Sequence, residues 1–283
     1  MFLVTQLIGI YVVGHYSSPE NELPYGMAPP EVEQESDFYT SLLPSIIIAF
    51  IVAISIMFLL TKVNAEFILR LWFFVVVVIA LGITFNSVFP DFSYQALVAG
   101  IIALPFAFFK VYRSNFYVHN FTEFLIYPGI AAVFAPLLNV WTIIVLLILI
   151  SAYDMWAVWH SGIMQKMAKY QINKLKVFGG FFVPYMNKKI KGQIKKMSKA
   201  ELKKKKIKVN LAILGGGDVV FPIITAGVIL NYWGLIPALL VVVGAALGLG
   251  YLLINSEKKK FYPAMPFITA GILLGILAGW IFF

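Results

Sequence analysis

Two aspartates stand inside apolar runs: Asp154 in VLLILISAYDMWAVW and Asp218 in ILGGGDVVFPIIT. A charged group at the centre of a membrane-spanning helix costs about 2.5–3.5 kcal/mol on insertion scales, so such acids face a cavity or a partner and carry function. No lysine or arginine in any span can pair with them, since Arg70 and Lys110 stand towards the ends of their runs. Of the 13 acids, Glu20, Glu22, Glu31, Glu33, Glu35 and Asp37 cluster in one segment, and Glu66, Asp91, Glu123, Glu201 and Glu257 fall at or near the ends of apolar runs. Asp154 and Asp218 remain. Two carboxyl groups at close range do not both ionise readily and share one proton. The ionised member takes a proton from water, and the protonated member hydrogen-bonds the carbonyl under attack. That is peptide hydrolysis with neither covalent intermediate nor metal. The proton belongs to the pair, so acid and base are not assigned singly.

The elements that must position these acids are spanning helices. Of 283 residues, 61% are hydrophobic and 12% charged, too little charge to cover a water-facing surface. A spanning helix needs roughly 17–25 apolar residues. Eight such runs and a shorter one occur, near 1–15, 41–61, 67–89, 94–110, 122–138, 140–162, 209–231, 234–255 and 262–283. The expectation is an all-α polytopic membrane protein of nine transmembrane helices, a single membrane domain over 1–283. Helices one to six occupy 1–162, a basic loop 163–208, and helices seven to nine 209–283. Fifteen helical residues rise only about 22 Å, so the first helix is stubby or the start lies upstream. The run lacks the basic flank and small-residue cleavage site of a signal peptide. The chain has no cysteine. His15, His119 and His160 are scattered near helix ends, where a solvated ring is expected, and no ligand cluster suggests a metal or cofactor.

Charge orients the bundle. Lysine and arginine in short loops mark the cytoplasmic side. With the N-terminus inside, all 22 basic residues fall on cytoplasmic connections: Lys62 and Arg70, Lys110 and Arg113, fifteen lysines from Lys166 to Lys208, and Lys258 to Lys260. The acids of 20–37 are then external, as is the C-terminus. Asp154 and Asp218 each lie about 12 Å from the cytoplasmic ends of consecutive antiparallel helices, at matched depth. The stretch KKIKGQIKKMSKAELKKKKIK (188–208) reads as a lipid-facing orientation signal, at about 1 kcal/mol per basic residue near anionic lipid. Without aromatic or glycine pattern for base stacking, it is not read as a nucleic-acid site. Residues before it, SGIMQKMAKYQINKLKVF, have the spacing of a surface helix, which GGFFVPYM (179–186) breaks. The acceptor pattern NFT at 120–122 falls on the inner face and is a chance match.

Gly215, Gly216 and Gly217 remove side chains beside Asp218. They permit close backbone approach and weaken a helix by about 1 kcal/mol each relative to alanine. A peptide bond inside an intact helix is not accessible, so a substrate must unwind, and its strand needs backbone to pair with. A glycine-loosened segment beside the acid supplies such an edge. In span eight, GLIPALLVVV, Pro237 disturbs the first turns and leaves carbonyls unpaired, and Ala238 permits close packing.

Tyr153-Asp154, Gly215-Gly216-Gly217-Asp218 and Pro237-Ala238-Leu239, in that order on three successive spans, resemble the YD, GxGD and PAL motifs of the presenilin and signal peptide peptidase family. The resemblance covers the whole chain. It implies an intramembrane aspartyl protease that hydrolyses peptide bonds in transmembrane segments of other membrane proteins and resides as a multi-pass protein of the cell membrane. Carried over, Asp154 and Asp218 form the catalytic pair. Tyr153 and the three glycines shape the site, and Pro237, Ala238 and Leu239 help position substrate. The inferred orientation resembles presenilin, and the short chain resembles archaeal homologues, which implies action without obligatory subunits. The rival reading is a proton-coupled transporter using the aspartates as a relay, since transporters also combine buried acids with broken helices.

Overall fold

The computed structural model describes residues 1–18, 20–27, 66–113, 115–161, 177–185, 210–256 and 262–282, with isolated positions between 44 and 56 and at 170–171. The expected second span at 41–61 and the lysine-rich 188–208 lie outside the described residues.

Eight helices are described: α1 Phe2–Tyr16, α2 Glu66–Asn86, α3 Gln95–Tyr112, α4 Phe116–Phe134, α5 Val140–Trp156, α6 Gly216–Trp233, α7 Leu235–Asn255 and α8 Met265–Phe282. Helices α2 to α8 are long and apolar enough to cross a membrane, while α1 falls short of that length. Seven candidate spans are thus found among the described residues, and the expected second span lies outside them.

The described residues form a helical membrane fold, as expected, with one small addition that the sequence did not suggest. Two antiparallel strands, β1 Gly180–Tyr185 and β2 Asn210–Gly215, form a small sheet with Gly180 opposite Gly215 and Tyr185 opposite Asn210. The run at 209–231 was expected to be helical throughout. Its first six residues in the sheet are too few to make a span, and Gly215 to Gly217 disfavour extending the helix backwards over them. Segment β1 (GFFVPY) is rich in aromatic and β-branched types that suit a strand. Helix α6 therefore starts at Gly216, after an extended Gly215 (φ −63°, ψ 150°). Asp218 sits in its first turn, not two turns inside it.

The helix ends follow local chemistry. Asn115 caps α4 by accepting the Val118 N–H at 2.9 Å, and Asn139 caps α5 by accepting the Thr142 N–H at 2.8 Å. Both satisfy N–H groups that a first turn leaves without partners. One residue, Gly234 at φ +88°, separates α6 from α7. Pro128 is accommodated within α4, and a 3₁₀ turn at Ala135–Leu137 follows it.

The core gathers α1, α4 and α6. The Gln6 side chain of α1 donates to the Val219 carbonyl at 3.0 Å, and Tyr16 Oη donates to the Ile83 carbonyl at 2.8 Å. Gly9 makes room for Ile223, and Gly227 for Val13 and Ala135. Helices α7 and α8 form the most extensive helix pair. Their contact is a glycine seam: Gly244 against the Gly271 carbonyl, Gly248 against that of Phe267, and Gly275 against that of Leu240. Small residues four apart let helix backbones approach where no hydrophobic drive separates protein from lipid.

Gly271→Leu drives a side chain into the α7 backbone. We expect a loss of roughly 1–3 kcal/mol, seen as a lower thermal midpoint in detergent. Gly250→Ala, at a helical position with open space around it, is expected to hold the midpoint or raise it slightly.

Candidate active site

Asp154 lies in the last turn of α5, before a π-helical turn at Ala157–Ser161. Its side chain is buried and reaches across to the start of α8, where Oδ2 accepts the Met265 N–H at 3.1 Å. The Ala264 backbone contributes a second such contact. One turn earlier on α5, Ser151 Oγ donates to Thr269 Oγ1 at 2.8 Å. Two contacts a turn apart thus fasten α5 to α8. The first N–H groups of a helix lack intrahelical acceptors, which makes the start of α8 a natural seat for a carboxylate.

Asp218 is also buried. Its carboxyl group folds back over Gly215, so a Cβ added there would lie 3.1 Å from Oδ2. The two carboxyl groups are within electrostatic reach of one another. The two acids that the sequence singles out thus stand, both buried, on helices that contact one another.

The three glycines differ. Gly216 backs onto Tyr127, where an added Cβ would lie 2.9 Å from the phenol oxygen. Gly217 is exposed, and the nearest atoms to a Cβ there belong to Phe221 at 3.7 Å. Gly215 is the last residue of β2, so the strand leads directly to Asp218.

The sheet has a definite hydrogen-bond phase. Gly216 N–H donates to Gly179 O at 3.3 Å, and antiparallel pairs alternate between bonded and non-bonded. In the observed register, the next bonded pairs are Phe181 with Leu214 and Val183 with Ala212. The N–H and C=O groups of Gly180 and Phe182 face away from β2. Those of Leu211 and Ile213 face away from β1 and meet no backbone partner among the described residues.

Tyr153 and the Pro237 segment depart from expectation. Tyr153 is 59% exposed, with its ring beside Trp156, and so does not face Asp218. Pro237 packs against Gly279, which lies fourteen residues along α8 from Met265, or about 21 Å of helix. Pro237, Ala238 and Leu239 are therefore at the far end of the α7–α8 pair from Asp154. The same Pro-Ala-apolar pattern recurs as Pro263-Ala264-Met265, and it is this copy whose backbone holds Asp154. The signal was available. The inferred topology puts the aspartates near the cytoplasmic side, where residues 256–264 connect the last two spans, and puts Pro237 at the opposite face.

Glu123, Lys110 and His119 are all buried, whereas the sequence placed them at solvated helix ends. Lys110 Nζ is ion-paired with Glu123 Oε1 and lies 3.3 Å from His119 Nδ1. A buried charge is tolerable when it is paired, so Lys110 spends its charge on Glu123. Tyr127 Oη is buried without a well-formed hydrogen bond, within electrostatic reach of Glu123 and Asp218. Asn120, of the chance acceptor pattern, is buried and committed to Phe182.

Known proteins resemble this arrangement over its full extent. The sequence profile described as signal-peptide peptidase, presenilin aspartyl protease matches residues 1–283. Two solved structures of a presenilin family intramembrane aspartate protease, in C222 and P2 crystal forms, share the fold. Their identities are 21% and 19%, both with a TM-score of 0.62, covering 99% of this chain and 96% of the other. No match was found among curated proteins. Proton-coupled transport is not favoured by these relatives. The chain belongs to the signal-peptide peptidase and presenilin family of aspartyl proteases, and is a multi-pass intramembrane aspartic endopeptidase.

Proposed function

We propose that Asp154 and Asp218 hydrolyse peptide bonds within transmembrane segments of substrate proteins through one shared proton and one water. The observation that carries this reading is that both side chains are buried and within electrostatic reach of each other, with Asp218 three residues beyond the end of β2. The ionised carboxylate removes a proton from water while the oxygen attacks the peptide carbon. The protonated carboxyl donates to the carbonyl oxygen, giving a neutral gem-diol. The C–N bond then breaks as the nitrogen takes the proton of one carboxyl and a gem-diol hydroxyl gives its proton to the other carboxylate, so acid and amine leave and the pair again holds one proton. Met265 N–H fixes Asp154 Oδ2, leaving Oδ1 for this exchange.

The substrate reaches the pair as an extended segment. The outward N–H and C=O groups of Ile213 supply the pairing partners, a mode in which main-chain bonds give affinity. Ile213 is itself 45% exposed. An added strand continues past Gly215 towards Asp218, over the open face at Gly217. Gly215, Gly216 and Gly217 thus clear the path, and Pro263, Ala264 and Met265 replace Pro237, Ala238 and Leu239 as the segment nearest the chemistry. The basic 163–208 segment meets anionic lipid on the cytoplasmic side of the cell membrane, and the chain works without obligatory subunits.

Asp154→Ala and Asp218→Ala should each lower cleavage of a single-span substrate in detergent by roughly 10³-fold or more, with thermal midpoint and helix content retained. Full activity in either variant would sink the pair. Met265→Pro is a finer probe. It removes the N–H that holds Asp154 together with a buried side chain, while proline itself is tolerated at the first position of a helix, so Met265→Ala is the control that loses the side chain and keeps the N–H. The expected result is a kcat reduced by about 10–100-fold with KM nearly constant.

A further inference from the structure

Strand β1 has an outer edge, and α4 covers it. The backbone groups of Gly180 and Phe182 that face away from β2 both meet side chains of α4. His119 Nε2 lies 2.7 Å from Gly180 O. Asn120 Nδ2 donates to Phe182 O at 3.0 Å, and Asn120 Oδ1 accepts the Phe182 N–H at 2.9 Å. One amide side chain thus offers Phe182 the donor and acceptor that a neighbouring strand would offer. The next outward position is Pro184, which has no N–H to satisfy.

The cluster behind these contacts fixes the histidine. An ammonium group only donates and a backbone carbonyl only accepts. With Lys110 Nζ at Nδ1 and Gly180 O at Nε2, the ring proton belongs on Nε2. Glu123 Oε1 holds Lys110 from the other side. The His119 ring also stacks near Phe182, with centroids 4.4 Å apart.

We propose that Asn120 and His119 are positioning residues for the proteolytic reaction, sealing the outer edge of β1 so that β2 carries the one open edge of the sheet and a substrate strand adds in a single register beside Asp218. This rests on the reading that substrate adds to β2. It assigns specificity, in the form of one cleavage position, to side chains that touch neither substrate nor the reacting atoms.

Hydrogen exchange tests the seal without any substrate. In the wild-type chain the Phe182 amide, which points away from β2, should exchange as slowly as the Val183 amide, which points into the sheet. Free exchange at Phe182 would overturn the proposal. Asn120→Ala should speed Phe182 exchange by about tenfold or more. The same variant should lower kcat by about tenfold with KM within roughly twofold of wild type, and should spread the product ends over adjacent bonds. His119→Ala should act in the same direction, whereas His119→Gln, which keeps a donor for Gly180 O, should restore most of the rate and the single cut. The histidine pair carries the test if Asn120→Ala does not fold. Wild-type kcat with an unchanged cut in Asn120→Ala or His119→Ala would overturn the proposal. A wild-type chain that cuts no single-span substrate would instead remove the proteolytic reading, while the exchange rates still decide the seal.

Discussion

Backbone groups in an apolar surround need partners from the protein, because lipid offers none. A two-stranded sheet is the hardest element to keep under that constraint, since each strand pairs on one side only. Here β1 is satisfied on both sides, by β2 and by the polar side chains of α4. This accounts for the composition of the first turns of α4, where His119, Asn120, Thr122 and Glu123 are all buried in a helix otherwise apolar enough to span. Lys110 follows from the same need. The acid that steadies the histidine has to be neutralised, and α3 delivers a lysine to it. What reads in sequence as a polar helix end is a built support for a strand.

Glycine does several different jobs in this chain, and a count of glycines does not distinguish them. In α7 and α8 glycines bring two backbones together: a Cβ at Gly244, Gly248, Gly271 or Gly275 would collide with a carbonyl of the opposite helix. At Gly234 the backbone takes φ +88°, a region closed to most side chains, and turns α6 into α7 within one residue. Before Asp218 the reason is again different. Gly216 accommodates the Tyr127 phenol, while a Cβ at the exposed Gly217 would meet only the Phe221 ring, at ordinary contact distance. Gly217 is the one of the three whose bareness is not explained by packing within the chain, which is what a passage for another backbone requires.

The helical frame was legible because apolar runs of sufficient length have few alternatives in a bilayer. Helices appear where seven of the runs predict spans, and the short first helix ends at Tyr16, one residue past its predicted limit. The two aspartates were legible for the same reason, as acids that no solvent exposure excuses. The sheet was not. Leu211 to Leu214 is apolar and contiguous with a spanning run, and a short apolar run does not separate strand from helix by periodicity. Its partner strand lies 30 residues earlier, across a lysine-rich segment, so nothing local announces the pairing. Glu123 and Lys110 were misplaced because a residue near a helix end is assigned to water by default, and only the approach of α3 to α4 reveals that they neutralise one another. Tyr153 illustrates a converse error. The family resemblance carries Tyr153 over as shaping the site, but neighbours on a helix point about 100° apart, and Tyr153 faces outward.

The two carboxyl groups are held in unlike ways, and this bears on how their separation is set. Asp218 is positioned locally, by the turn from Gly215 into α6. Asp154 is positioned from a distance, by the first N–H groups of α8, a helix that is more than a hundred residues away in sequence. The spacing of the pair is therefore the spacing between the β2–α6 junction and the start of α8. The first is anchored through β1 to α4, and the second is anchored through the glycine seam to α7 and through Ser151 and Thr269 to α5. Any displacement of α8 along that seam carries Asp154 with it, while a strand added to β2 acts on Asp218. On the proposed reading, substrate binding and helix packing would act on opposite members of the pair, so an added strand would adjust the distance over which the proton is shared without either helix having to unwind.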